Sequence, residues 1–345
     1  MSKPGFTRFV VRSLVALLPV VLYVALYALL DPFKVVHTYN GVSIAPGDSL
    51  ERIPNKRYVA IEGLKYYDPT YHYDSFIFGS SISSNFTAEA WKRHLPPDAS
   101  VYHFTAGANT LTGIRDELRY LLDHGIPVRH ALLVMEDEMF HRQPRMNELP
   151  YVPHYDVSPQ VSWLHFHFVH FNAFRDPFML LYNTMPWSWV GDKLLEDGKM
   201  VKIPSGRDEV LNEDSSRGLD SLIMSNPREY YGKMPWLLGM VPQPNVMPLS
   251  IDATNEPVLR DIARMLQQAH TEYVVIVPPR FRGQPMSAID HAALCEIMGE
   301  RHVKDFSNDS TLIHDVHSYY EGVHILTHRC TELIDRSYEP SPFSR

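Results

Sequence analysis

Short apolar runs alternate with amphipathic segments along much of the chain after residue 73. The apolar runs have the length of buried strands, and the segments between them place apolar residues at helical spacing. This alternation predicts an α/β fold, with a central parallel sheet covered by helices on both faces. The predicted strands are 74–79, 101–104, 131–135, 272–277 and 302–306, and the predicted helices are 87–95, 112–124, 287–298 and 319–338.

Two stretches depart from this pattern. Residues 31–72 carry several prolines, mixed charges and no clear period, which indicates a connector leading into the domain. Residues 139 to about 251 are rich in Pro, Trp, His, Met and Tyr. We interpret that stretch as an insertion with its own helices that lies over the strand ends and forms a lid or substrate wall. The predicted α/β domain, with this insertion, covers 73–338.

The N-terminus predicts a membrane anchor. Residues 13–30 are uncharged and almost wholly apolar, about the minimum length that spans a bilayer, and Lys3, Arg8 and Arg12 precede them. The positive-inside rule then keeps the N-terminus in the cytoplasm and places the rest across the membrane. We therefore expect residues 1–30 to be a signal anchor in the cell inner membrane, single-pass, with a periplasmic C-terminal domain. The alternative is a cleaved signal peptide.

Composition limits the function classes. The chain has 345 residues and a net charge of −8, which argues against a nucleic-acid partner.

Cys295 and Cys330 either pair or stay as buried thiols, and the sequence leaves this open. His165, His167 and His170 alternate with aromatic residues, a pattern more typical of packing than of a metal site. We predict no metal and no cofactor.

A candidate nucleophile follows the first predicted strand. The strand ends in Phe78-Gly79-Ser80-Ser81, and a helix-like segment comes soon after. A strand-to-helix turn exposes a serine hydroxyl and directs backbone N–H groups at an oxyanion, so we predict Ser81 as nucleophile. The alternative is a serine-rich helix cap. The literal Gly47-Asp48-Ser49-Leu50 lacks a preceding strand, and we interpret it as a turn in the connector.

A candidate acid and base lie near the other end of the chain. Asp315 and His317 are two residues apart in a predicted loop before the last helix. A carboxylate in that position can hold an imidazole in the tautomer that accepts a serine proton. The alternative is a polar loop at a helix entry. For the oxyanion we predict the backbone N–H groups of Ser81 and Gly107 together with the Asn109 amide, since Gly107 and Asn109 follow the second strand.

Together these blocks resemble the SGNH/GDSL hydrolase superfamily. Its members place a serine after the first strand, a glycine after the second, an Asn after the third, and an Asp and a His before the last helix. The chain matches at Ser81, Gly107 and Asp315/His317. It departs at Ser80, where the family has Asp, and at Glu136-Asp137, where the third-block Asn is missing.

The resemblance is strongest to the membrane-anchored extracytoplasmic branch, which includes alginate O-acetyltransferase-like and teichoic-acid D-alanylation proteins. It implies an SGNH-like three-layer sandwich. It also implies O-acyltransferase or esterase chemistry on a cell-surface or exported polysaccharide. A separate multi-span membrane protein would supply the acyl group. The alternative is an inactive SGNH-like scaffold or polysaccharide-binding component of an envelope assembly.

Overall fold

A computed structural model describes residues 3–37, 55–175, 206–215, 217–241 and 251–339. Its centre is a five-stranded sheet in which every neighbouring pair of strands is parallel. The predicted α/β fold with a parallel sheet is therefore confirmed. The strands of this sheet are β1 (Ser75–Gly79), β2 (Val101–Thr105), β3 (His130–Val134), β6 (Glu272–Val277) and β7 (Val303–Asp305), and their order in space is β2-β1-β3-β6-β7. A separate antiparallel hairpin consists of β4 (Gly206–Asp208) and β5 (Glu213–Ser215).

Helices connect the strands and cover both faces of the sheet. Because strand side chains alternate, Phe76 and Phe78 of β1 pack into one core, and Ile77 between them packs into another. The helices are α1 (Lys3–Leu30), α2 (Lys56–Tyr71), α3 (Ala88–Lys92), α4 (Leu111–Asp123), α5 (Asp137–His141), α6 (Trp163–Ala173), α7 (Arg217–Ser225), α8 (Pro227–Gly232), α9 (Pro235–Leu238), α10 (Glu256–Gln268), α11 (Ala288–Met298), α12 (Ser310–Ile313) and α13 (Thr327–Tyr338). The first core also takes side chains from α2, α4, α10 and α11, and the second takes them from α3 and α13.

Part of the predicted connector is a helix of the domain. Asn55 caps α2 by accepting a hydrogen bond from the Tyr58 N–H at 3.1 Å, and Ile61 and Leu64 are buried. The Tyr102 hydroxyl of β2 donates to the Ala60 carbonyl at 2.6 Å. The prolines obscured this helix, because Pro69 lies in its last turn, where a proline removes a backbone N–H donor and disfavours a helix. Residues 38–54, which include Gly47-Asp48-Ser49-Leu50, lie outside the described residues.

The last helix starts later than predicted. Tyr319 pairs with Ile325 in an isolated bridge, so residues 319–325 form a closed loop and α13 begins at Thr327. This difference matters, because the loop carries the chemistry of the candidate site.

Among the residues that the structure describes, one helix is long and apolar enough to cross a membrane. It spans Gly5–Leu30 within α1, and little of it is buried against the rest of the chain. Its C-terminal end joins a third core, where Tyr27, Phe33 and Val35 pack with Tyr58 of α2 and Phe166 of α6.

The two cysteines are not bonded to each other. Cys330 is fully buried and Cys295 is half-buried, and both are free thiols. This arrangement corresponds to the second of the two alternatives that the sequence left open.

Candidate active site

The turn after β1 holds Ser81 at the carboxyl edge of the sheet. Ser81 opens a 3₁₀ turn, Ser81–Asn85, that starts two residues after Gly79. The buried Ser83 hydroxyl donates to the Ser80 carbonyl at 2.8 Å. A Cβ on Gly79 would lie 2.5 Å from the Ser83 side chain, so the close approach requires glycine. Ser81 itself stays half-buried and accessible.

His324 is the imidazole that reaches Ser81. Its Nε2 lies 3.0 Å from the Ser81 hydroxyl oxygen, and its Nδ1 forms a short hydrogen bond with the Glu321 carboxylate. A carboxylate accepts only, so the network assigns the proton to Nδ1 and leaves Nε2 as the acceptor for the serine proton. Ser81, His324 and Glu321 therefore have the arrangement of a nucleophile, a base and an orienting acid.

The loop that carries Glu321 and His324 is closed on itself and tied to the nucleophile turn. The second carboxylate oxygen of Glu321 accepts the backbone N–H of Val323 at 3.3 Å and of His324 at 3.1 Å. The side-chain amide of Asn85 donates to the Ile325 carbonyl at 3.0 Å. These bonds hold the imidazole against the serine without help from a ligand.

The environment of Glu321 favours its ionised form. Partial burial by itself would raise the pKa of this carboxyl. The hydrogen bond from His324 and the backbone N–H groups outweigh burial, so the pKa of Glu321 lies below its ordinary value. The carboxylate is therefore charged at neutral pH and can stabilise an imidazolium at His324.

Residues from the predicted insertion brace this loop. The Tyr231 hydroxyl donates to the Tyr319 carbonyl at 2.7 Å, and the Tyr230 hydroxyl donates to the Tyr320 carbonyl at 3.0 Å. Both tyrosines lie on α8. The loop's position thus depends on contacts more than 80 residues apart along the chain.

The predicted pair Asp315 and His317 has a different role in this structure. Asp315 caps a 3₁₀ turn, Val316–Ser318, by accepting the His317 backbone N–H at 3.0 Å and the Ser318 hydroxyl at 2.7 Å. The His317 ring is exposed and packs edge-on against Tyr231. The turn uses the Asp315 carboxylate for capping, and the imidazole that contacts Ser81 comes from the next loop.

The oxyanion donors are only partly as predicted. Ser81 is the first residue of its 3₁₀ turn, so its N–H has no partner within that turn. Gly107 is half-buried, and a Cβ there would approach only the Tyr151 ring, at 3.8 Å. The oxyanion role of these two N–H groups stays a prediction. The buried Asn109 amide instead donates to the Gly79 carbonyl at 3.2 Å and to the Glu117 carboxyl at 3.3 Å, so it anchors the end of β1.

A fully buried network supports the nucleophile turn from behind. His103 of β2 lies with Nε2 3.1 Å from the Ser83 hydroxyl oxygen and with Nδ1 3.2 Å from Glu213. Glu213 also accepts the Ala88 N–H at 2.6 Å. Ser83 and His103 have no exposed surface, so they position the turn and do not meet a substrate.

A pocket opens beside Glu321. Its volume is about 460 Å³, and Trp236, Met240 and Phe281 provide apolar walls. Arg280 at its edge is paired with Asp137 at 3.0 Å, within the acidic block that stands where the resemblance places Asn. The acidic block is thus neutralised by arginine pairing and supplies no oxyanion donor.

Among the described residues no group of three or more His, Cys, Asp or Glu side chains is arranged to hold a metal ion. His165 and His170, on α6, contact the backbone carbonyls of Met146 and Phe166 at 2.8 Å. These histidines serve packing and local hydrogen bonding.

No protein-family model and no curated protein matches this chain. The assignment of a function therefore depends on the geometry of the site.

The sequence did contain a signal for the two residues that were missed. Glu321 and His324 are three apart in the segment before the last helix. The predicted helix 319–338 includes both residues, whereas the predicted acid, Asp315, precedes it. With Glu accepted as an orienting acid, Glu321-x-x-His324 is a second candidate pair in the sequence.

Proposed function

We propose that this chain is a membrane-anchored serine acyltransferase or esterase acting on a cell-surface or exported polysaccharide. The observation that carries the proposal is the 3.0 Å contact between Ser81 Oγ and His324 Nε2, with Glu321 bonded to the other ring nitrogen. A preformed serine–imidazole–carboxylate array at the carboxyl edge of a parallel sheet is suited to acyl transfer.

The proposed reaction runs through an acyl-enzyme. The Ser81 oxygen attacks the acyl carbon as His324 Nε2 takes the serine proton, and Glu321 stabilises the imidazolium. The N–H groups of Ser81 and Gly107 hold the oxyanion. The leaving alcohol takes the proton from His324 as the ester bond breaks. A sugar hydroxyl or water then gives its proton to His324 and attacks the acyl carbon. As the bond between that carbon and Ser81 Oγ breaks, His324 returns the proton to Ser81.

Two features support the link to the SGNH/GDSL superfamily. The chain order is serine, acid, histidine, and the acid and histidine precede the last helix, as in that superfamily. The spacing Glu321-x-x-His324 also keeps the Asp-x-x-His spacing of the superfamily, with Glu as the acid. A formed triad favours an enzyme over the inactive scaffold, since a scaffold has no need of this alignment.

The cellular setting is part of the proposal. The apolar helix would cross the inner membrane once, with the basic N-terminus in the cytoplasm and the site in the periplasm. That location brings the acyl-enzyme to polymers as they emerge. A multi-span membrane protein is the proposed acyl donor.

Labelling with a fluorophosphonate tests the proposal on the full chain in detergent. We expect wild-type protein to be labelled at Ser81 and Ser81→Ala or His324→Ala to lose labelling. His317→Ala is the matched control, because His317 lies in the same segment but contacts Tyr231. Labelling that depends on His317 and not on His324 would refute the triad. Absence of labelling in folded wild-type protein would support the scaffold.

A further inference from the structure

Helix α6 presents an apolar face that nothing in the described part of the chain covers. Trp163, Leu164 and Phe168 are 59, 71 and 61% exposed. The opposite face is fully packed, with Phe166 and His170 showing no exposed surface. The helix has no Asp, Glu, Lys or Arg. An uncharged helix with one buried face and one exposed aromatic face is unusual in contact with water.

The same helix packs directly against the apolar N-terminal helix. Phe171 and Phe174, the latter at the end of α6, lie 5.0 to 5.4 Å, ring to ring, from Tyr23 and Tyr27 of α1. Tyr23 and Tyr27 precede Leu30, the last residue of α1, by about 10 and about 5 Å along the helix axis. The C-terminal end of α6 is therefore level with the last two turns of α1.

The contact between α6 and α1 indicates what covers the exposed face of α6. If α1 spans a bilayer, its last two turns lie where the hydrocarbon meets the headgroups, the zone in which Tyr and Trp accumulate. Phe168 is about 5 Å along α6 from Phe171, so it cannot be far from that zone. Helices with an aromatic and aliphatic outer face bind such interfaces by burying that face among the acyl chains.

We propose that α6 lies in the interface between bilayer and water at the C-terminal end of α1. Trp163, Leu164 and Phe168 are then buried in lipid. The occupant of this face is lipid and not a protein partner. Two attachments, α1 and α6, then hold the domain at a fixed height above the bilayer. This inference rests on the proposed membrane span and not on the proposed acyl chemistry.

Spin-label accessibility on the full chain tests it. The protein is reconstituted in phosphatidylethanolamine–phosphatidylglycerol vesicles, with nitroxide attached to Phe168→Cys or, separately, Leu164→Cys. Cys295→Ser removes the half-buried thiol, and the fully buried Cys330 is left in place. The measurement is the ratio of collision with oxygen, which concentrates in lipid, to collision with a water-soluble nickel chelate.

Two control positions make the outcomes distinguishable. Ile289→Cys is an apolar side chain on α11, 67% exposed, and should report water. Val20→Cys, 58% exposed on α1, should report the bilayer. We expect Phe168 and Leu164 to give ratios several-fold above Ile289 and close to Val20. If both α6 labels match Ile289 while Val20 reports lipid, the interface proposal is wrong and the span stands. If Val20 also matches Ile289, the span is wrong and the proposal falls with it.

Discussion

Replacing Glu321 by Gln isolates the contribution of the orienting carboxylate. The change keeps the side chain's length and removes its charge. Wild-type Glu321 holds the proton on Nδ1 of His324 and stabilises the imidazolium that forms when Ser81 is deprotonated. A Gln can present its amide group to Nδ1 as a donor, which favours the wrong tautomer. The attack of Ser81 should therefore slow, while the fold stays intact.

The size of the effect follows from the geometry. Two unit charges about 4 Å apart attract by about 4 kcal/mol at an effective dielectric constant of ~20. The Glu321 side chain is 34% exposed, so solvent screening lowers the loss to roughly 2 to 4 kcal/mol. At about 1.4 kcal/mol per tenfold change in rate, the labelling rate should fall roughly 30- to 1,000-fold.

The assay is the second-order rate of fluorophosphonate labelling in full-length protein. Glu332→Gln is the matched control, because Glu332 pairs with Arg329 on α13 and should leave the rate unchanged. Glu321→Asp should fall between the two, since it keeps the charge but shortens the reach to Nδ1. Labelling of Glu321→Gln at the wild-type rate would show that Glu321 does not assist His324.

Two further predictions concern the support of the site. Burial raises the pKa of Glu117 from its ordinary value of 4.5 to about 8, even though the charge of Arg57 opposes the shift. Between these pH values the folded chain keeps a proton on Glu117 that the unfolded chain loses. The contribution of this proton to the free energy of unfolding is complete below about pH 4.5 and is lost as the pH rises to about 8. Urea unfolding in detergent should show this loss in wild type and not in Glu117→Gln; identical pH profiles would contradict it. Ser83→Ala removes the hydroxyl that holds the Ser80 carbonyl and contacts His103, so unfolding free energy should drop by about 1–3 kcal/mol and labelling should slow. Ser84→Ala, whose hydroxyl is only partly buried, should cost less, and equal losses in the two variants would argue against the buried network.

The local pattern of the sequence determined the strands of the central sheet, the turn at Ser81 and the N-terminal helix. Alternating apolar runs and helical segments placed the strands of the parallel sheet within a residue or two, because burial on both faces requires continuous apolar strands. The turn Phe78-Gly79-Ser80-Ser81 was also readable, since a glycine after a buried strand marks a sharp exit. The apolar N-terminal helix, with its uncharged run 13–30, was evident from length and composition alone.

Tertiary structure decided which polar residues meet Ser81. Asp315 and His317 have suitable chemistry and spacing, yet the carboxylate is used to cap its own turn. His324 reaches the serine because contacts distant in sequence, from Asn85 and from the tyrosines of α8, hold its loop. The Asn109 amide could likewise donate a hydrogen bond to an oxyanion, but in the fold it donates to the Gly79 carbonyl at the end of β1.

Two other features also depended on long-range packing. Helix α2 was hidden by prolines and is stabilised by burial against β2, which local propensity does not report. The aromatic segment of α6 could be recognised as unusual, but its contact with Tyr23 and Tyr27 appears only in the folded chain. Spacing along a sequence thus indicated which residues could do the chemistry, and the competition for hydrogen-bond partners in the folded state decided which of them are free to do it.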